Sequence, residues 1–200
     1  MTTVIDYNAG NLRSVETALH HLGATFQITS DPAVVARAER VILPGVGDAG
    51  AAMAELHSRE LAAVLQDVPR RGVPMLGICL GSQIILTRSA ESSAQCLKLI
   101  PGEAVPFSVS LKVPHMGWNT IDPQQDHPIF QGFDPGSSFY FVHSYFPQPA
   151  MEDAVIATCS YGQTFAAVVG SGSVVATQFH PEKSGEPGLR MLNAFLRWNP

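Results

Sequence analysis

Short apolar runs alternate with helical patterns through the first half of the chain. Thr3–Asp6 reads as a strand. Asn11–Leu22 follows as a helix, with Leu12, Val15, Leu19 and Leu22 at helical spacing and Gly23 closing it. Ala24–Ile28 predicts a second strand, and Ser30-Asp31-Pro32 marks a helix start. Arg40–Leu43 predicts a third strand, followed by the turn Pro44-Gly45-Val46-Gly47 and a long helical region to about Val68. Pro74–Ile78 predicts a fourth strand that runs into Cys79, with Leu80–Thr87 helical after it. Strand and helix alternating over short connections predict a doubly wound α/β fold, a mostly parallel sheet with helices on both faces.

The second half changes character. Glu103–Trp118, Ser138–Phe146, Ala154–Tyr161 and Thr164–Gln178 are strand-rich and broken by Pro and Gly, which predicts an antiparallel or mixed edge. Gly170-Ser171-Gly172, between two β-branched runs, predicts a hairpin turn. Gly188–Trp198 predicts a closing helix with Leu189, Leu192, Phe195 and Leu196 on one face. With no repeat, low-complexity tract or linker, residues 1–200 read as a single domain.

Composition agrees with a sheet covered on both sides: 14% of residues are charged and 46% apolar. Twelve basic against 17 acidic residues give a net charge of −5, and no Lys/Arg run occurs, which argues against nucleic acid as a partner. Three cysteines, Cys79, Cys96 and Cys159, cannot close a disulfide framework, and their spacing suits no zinc site, so neither a metal nor another cofactor is expected. Cys96 and Cys159 read as packing residues. No apolar stretch reaches the roughly 18–20 residues of a membrane span, and the chain opens on a strand rather than a leader, so a cytoplasmic protein is expected.

The sharpest chemical signal is Gly77-Ile78-Cys79-Leu80-Gly81, between a strand and a helical stretch. This is the context of a nucleophile elbow, where glycines permit a tight turn and the sulfur sits at a helix N-terminus that favours the reactive thiolate. A buried structural cysteine in a glycine turn is the plainer reading of the motif alone. Among seven histidines, His20, His21, His57 and His127 read as surface or capping residues. His180 ends an apolar strand as His180-Pro181-Glu182, and residues two apart in an extended segment point the same way. Glu182 is thus expected to orient His180 as His180 faces Cys79, a Cys–His–Glu triad. The backbone N–H of Leu80 is one oxyanion-hole donor by construction, and the Pro44–Gly47 turn is expected to supply the second.

These residues together resemble the class I glutamine amidotransferases, whose glutaminase domain carries Gly-x-Cys-x-Gly and a later His-Pro-Glu. Within that class, further segments resemble the glutaminase subunits of imidazole glycerol phosphate synthases: Asp6-Tyr7 with Gly10-Asn11-Leu12-Arg13-Ser14, Leu43–Gly47, Gly77–Gln83, Pro114-His115-Met116-Gly117-Trp118-Asn119, Tyr140–Tyr145 and His180–Ser184. The resemblance covers essentially the whole chain. It implies attack by Cys79 on the side-chain amide of glutamine, a γ-glutamyl thioester, and ammonia passed directly to a (β/α)8 cyclase subunit of imidazole glycerol phosphate synthase as partner in a heterodimer. It further implies that Gln83, Ser144 and Tyr145 hold glutamine, with Gly47 beside the amide. The Gly45–Val46 peptide would help form the oxyanion hole, which the family completes when the partner's substrate binds. Asn11, Trp118, Tyr140 and Lys183 would meet the partner; for Trp118 and Tyr140, core packing is the alternative. Three positions depart from the family pattern: Asn8-Ala9 where Gly-x is usual, Ser82 where Met is frequent, and Lys98 within a stretch that commonly carries glycine. If position 8 needs positive φ, Asn is among the more tolerant replacements. The competing readings are a paralogous glutaminase feeding a sugar-aminating synthase, a cysteine peptidase-like protein, and a non-catalytic partner subunit.

Overall fold

A computed structural model describes residues 1–8 and 11–200. In its first half β1 (Thr2–Ile5), β2 (Phe26–Thr29), β3 (Val41–Gly45) and β4 (Met75–Cys79) alternate with α1 (Leu12–His21), α2 (Pro32–Val35), α3 (Ala49–Ser58) and α4 (Leu61–Asp67). The short helix α5 (Leu80–Ile84) follows β4 without a break. Small strands come next: β5 (Arg88–Ser89), β6 (Ala94–Gln95), β7 (Gly102–Pro106), β8 (His115–Thr120) and β9 (Asp122–Pro123). The chain then runs through β10 (Ser138–His143), β11 (Tyr145–Pro149), β12 (Val155–Ser160), β13 (Thr164–Ser171) and β14 (Val174–Thr177) to α6 (Gly185–Arg197).

The main sheet has the order β2-β1-β3-β4-β14-β13-β12-β9. Its first five strands are mutually parallel, and the last three run antiparallel at the edge. Alternation along the central strands divides the core in two: Val4, Ile42, Leu76 and Ile78 face one side, Ile5, Val41, Leu43 and Met75 the other. α1 and α6 cover the first side with Val15, Leu19, Met191, Leu192 and Phe195. The helices α2 to α5 cover the second with Val35, Met53, Leu56, Leu61, Leu65 and Ile84. This is the α/β architecture expected from the sequence. Two smaller sheets, β10-β8 and β11-β7-β5-β6, were not separately legible. Among the described residues no helix is long and apolar enough to cross a membrane.

Three local expectations are corrected. The long helical region after Gly47 is two helices, broken at Glu60, whose φ is +59°. Leu56 and Leu61 are five positions apart, so one straight helix would leave one of them off the core face; the break lets both be buried. α5 stops at Ile84 rather than Thr87 because Leu97, Lys98 and Leu99 donate N–H groups to the carbonyls of Ile84, Leu86 and Ile85. The hairpin turn is Gly172-Ser173, since Ser171 already pairs with Val174.

Beside the sheet, the β8–β10 ribbon brings His115 opposite His143. The Tyr145 carbonyl, which only accepts, lies 2.8 Å from Nδ1 of His143 and fixes the proton there. Nε2 of His143 then accepts from Nδ1 of His115 at 3.0 Å, and Nε2 of His115 is left facing the Asn119 amide at 3.4 Å. Both rings are neutral in this chain of bonds. Burial pushes His115 down to about 4. It pushes His143 down to about 3, helped by the nearby His115 and His180 and opposed by the Tyr145 carbonyl. An unfolded histidine titrates near 6.5, so between pH 6.5 and about 4 the unfolded chain binds more protons than the folded one, and stability falls as pH falls through that window. Thermal melts of a His115→Asn/His143→Gln double variant are expected to begin from a lower midpoint at pH 7. That midpoint should then fall about 5 °C less than wild type between pH 6.5 and 4.5; parallel curves for the two proteins would contradict the assignment.

Candidate active site

The carboxyl ends of three neighbouring parallel strands converge, the usual location of ligands on an open α/β sheet. Gly45 at the end of β3 lies opposite Cys79 at the end of β4. Thr177 at the end of β14 lies opposite Ile78, so the chain beyond β14 emerges beside the sulfur. Cys79 has φ +54° and ψ −107°, a strained conformation that carries a cost of order 1–3 kcal/mol. The flanking glycines make it possible: a Cβ on Gly77 would lie 2.8 Å from the carbonyl oxygen of Gly81, and one on Gly81 would lie 2.1 Å from that of Leu43. The elbow expected around Cys79 is present.

His180 and Glu182 meet for a different reason from the one expected. Pro181 ends the extended segment, and Pro181–Lys183 forms a single 3-10 turn that folds the carboxylate back onto the ring. Glu182 Oε1 is 2.7 Å from Nδ1 of His180; the carboxylate accepts, so Nδ1 carries the proton, and the buried Nε2 is left without a hydrogen-bond partner among the described residues. Both side chains are almost fully buried. Burial alone would lower the His180 pKa, but the neighbouring Cys79 sulfur and the hydrogen-bonded Glu182 carboxylate outweigh that and raise it above its ordinary value. The backbone is fixed as well: His180 N–H donates to Tyr140 O at 2.9 Å, and Ser184 Oγ donates to His180 O at 2.6 Å.

A cleft of about 410 Å³ opens over the sulfur. Val46, Gly47, Leu80, Gln83, Ser144 and Tyr145 line it with Cys79, as the sequence reading expects. Gly45 does not line it; it is buried against the Tyr7 hydroxyl. That hydroxyl has no hydrogen-bond partner among the described residues, and burial together with the Cys79 charge raises its pKa. The sequence reading did not assign Glu91, Pro114, Val142 and His143 to the site, and these also line the cleft. Glu91 accepts from Ala49 N–H at 2.9 Å. Its pKa is raised, mainly by burial, with the Ala49 hydrogen bond opposing and the Asp48 charge adding to the rise. No motif marked it, because it reaches the cleft from a loop whose sequence carries no pattern.

The four residues expected at a partner surface divide. Trp118 is 60% exposed, which excludes core packing for it, and its ring meets that of Tyr140 edge-on across the ribbon at 6.0 Å. Lys183 Nζ lies 5.9 Å from the centre of the Tyr140 ring. Asn11 precedes α1 without capping it, and its Nδ2 is buried with no partner among the described residues. Asn8 has φ +64°, the conformation for which the usual glycine is suited; Ala9 and Gly10 lie outside the described residues. His127 is a cap, accepting from Ile129 N–H at 3.1 Å. Cys96 and Cys159 are buried, which pushes their thiols up to about 11 and about 12.

Residues 3–198 match the family described as glutamine amidotransferase class-I. The imidazole glycerol phosphate synthase subunit HisH of Nitratidesulfovibrio vulgaris (strain DSM 19637 / Miyazaki F) is 48% identical over 206 residues, covering 99% of this chain and 97% of the relative. The protein of the same name from Dehalococcoides mccartyi (strain ATCC BAA-2266 / KCTC 15142 / 195) is 43% identical over 198 residues, covering 98% and 97%. PurLQS from Thermotoga maritima shares the fold with a TM-score of 0.73 at 20% identity, covering 98% of this chain and 96% of that one.

The closeness of Gly81 to Leu43 gives a stability test of the elbow. Gly81→Ala is expected to lose about 3 kcal/mol in urea unfolding; a loss below about 1 kcal/mol would mean that the strand ends are not packed this tightly.

Proposed function

Because the chain belongs to the class I glutamine amidotransferase family, we propose that it is the glutaminase subunit of an imidazole glycerol phosphate synthase, with residues 1–200 as one catalytic domain. The observation that supports the catalytic reading is the hydrogen-bonded His180–Glu182 pair just beyond the end of β14, beside the strand β4 that ends in Cys79. In the reaction Cys79 yields its proton to Nε2 of His180, and the sulfur attacks the side-chain amide carbon of glutamine. The resulting oxyanion is held by the N–H groups of Leu80 and Val46, the latter belonging to the Gly45–Val46 peptide. His180 gives its proton to the departing nitrogen, so ammonia leaves and a γ-glutamyl thioester remains. His180 then takes a proton from water as that water attacks the thioester, and glutamate is released with Cys79 restored. Glu182 keeps His180 in the tautomer this sequence needs and balances the imidazolium.

The cleft's polar groups suit the rest of the substrate. Gln83 spends both amide hydrogens on Tyr145 O at 2.9 Å and Gln178 Oε1 at 3.0 Å. Its own oxygen is then available to accept from the α-ammonium group, toward which Glu91 supplies negative charge. Ser144 and Tyr145 hold the α-carboxylate, and Gly47 lies beside the amide.

Ammonia released into water at neutral pH is protonated and ceases to be a nucleophile. Its acceptor is therefore a docked (β/α)8 cyclase, which uses it to make imidazole glycerol phosphate and aminoimidazole carboxamide ribotide. Trp118, Tyr140, Lys183 and Asn11 form the docking side, and the heterodimer works in the cytoplasm. The exposure of Trp118 supports that docking side.

With purified cyclase, Cys79→Ala is expected to lose at least about 10³-fold of glutamine-dependent synthesis while keeping synthesis from added ammonia within about threefold of wild type. Equal loss with both nitrogen sources would make Cys79 structural. Glu91→Gln is expected to raise KM for glutamine about 10-fold or more with kcat little changed. An unchanged KM in steady-state assays would remove Glu91 from the substrate site.

A further inference from the structure

Gln178, two residues before His180 and 0% exposed, serves the catalytic reading only as an acceptor for Gln83, although its side chain lies in the middle of the site. We propose that Gln178 is a positioning residue for glutamine hydrolysis, whose side-chain amide joins the sulfur of Cys79 to the substrate-binding amide of Gln83. The proposal rests on the glutaminase reading and adds to it the contact of Gln178 with the sulfur, which that reading does not use.

The direction of every bond in this network follows from one carbonyl. Tyr145 O can only accept, so the group of Gln83 that faces it at 2.9 Å is the NH2. The same NH2 is 3.0 Å from Gln178, which must therefore present its oxygen. The Gln178 NH2 is left pointing the other way, and it lies 3.8 Å from Sγ of Cys79, within range of an N–H···S contact. Ser82 does not compete for the Gln178 oxygen. Its one hydroxyl proton goes to Cys79 O at 2.7 Å, and the 3.5 Å approach to Gln178 is a packing contact.

Two consequences separate this arrangement from simple filling of a buried hole. A sulfur anion gains a donor that it lacks if Gln178 is apolar, so Gln178 acts on the ionisation of Cys79. Gln83 gains the acceptor that turns its oxygen toward the cleft, so Gln178 acts on glutamine binding without touching glutamine. The Tyr145 carbonyl that sets the network also accepts from His143, so the His115–His143 pair and Gln178 share one anchor.

Gln178→Met keeps nearly the same volume and removes both bonds. The wild-type chain and the variant are compared by iodoacetamide alkylation of Cys79 across pH, followed by mass spectrometry. They are also compared by glutamate release with a (β/α)8 cyclase present. The alkylation midpoint is expected to move to higher pH by about half a unit or more, and KM for glutamine to rise about 10-fold. Either quantity remaining at its wild-type value overturns the proposal, whatever happens to the melting temperature. Should Gln178→Met fail to fold, Gln178→Glu decides. Its carboxyl retains an acceptor for Gln83 but puts no amide N–H on the sulfur, so KM is expected within about threefold of wild type and the alkylation midpoint is still raised. An unmoved midpoint overturns the proposal. The two failures are distinct: a wild-type chain that releases no glutamate sinks the glutaminase reading, and the alkylation arm still tests the hold of Gln178 on Cys79.

Discussion

The pairing of β4 with β14 is the constraint from which the site follows. These strands lie about 100 positions apart in the chain, yet they run parallel with Ile78 opposite Thr177. That register delivers the proposed nucleophile and the proposed base to the same end of the sheet, one residue beyond the ladder in one strand and three beyond it in the other. A slip of one residue would turn Cys79 or His180 to the opposite face and bury the wrong side chains at every position along the strand. The core therefore protects the geometry of the chemistry: Leu76 and Ile78 belong to one apolar layer, Met75 to the other, and neither layer tolerates the exchange. The strain at Cys79 persists for the same reason, since the close passage of Gly81 under Leu43 leaves the turn no other path.

Electrostatics near the sulfur are organised by contrast. His180 is biased toward its charged form, against its burial, by the sulfur and by a buried carboxylate, while His115 and His143, a short distance away, are held neutral by burial and by a fixed sequence of donors and acceptors. Three imidazoles of the same chemistry thus sit in one region with opposite protonation preferences. A cation at His143 would repel the one that forms at His180, and the Tyr145 carbonyl, by claiming Nδ1 of His143, leaves that ring acting as an acceptor toward His115. A purely apolar wall would have left Tyr145 O with one partner fewer, and Gln83 depends on the placement of that carbonyl.

Much of this was legible in the sequence because it rests on local rules. Periodicity gave β1 to β4 and α1, and the glycines around Cys79 gave the elbow, since a Cβ at either position has nowhere to go. The His-Pro-Glu segment gave the correct pair of side chains through an incorrect route: the extended geometry assumed for it is replaced by the 3-10 turn that Pro181 starts. What stayed hidden depends on chain segments meeting from afar. Glu91 starts a single short 3-10 turn with no periodicity, and Gln178 lies one residue past β14, a strand buried on both faces, where a polar residue following Val, Ala and Thr carries no alternating signature. The break at Glu60 was detectable in principle, because Leu56 and Leu61 are out of phase for a single helix.

Cys96 and Cys159 lie in the interior with thiols pushed up to about 11 and about 12, and all three cysteines are unpaired. Cys96 and Cys159 therefore hold almost no thiolate and are poor targets for a mild oxidant. Among the cysteines it is Cys79, which borders the cleft, that an oxidant can reach. A sulfenic acid formed there would have to be repaired by a thiol arriving from outside the protein.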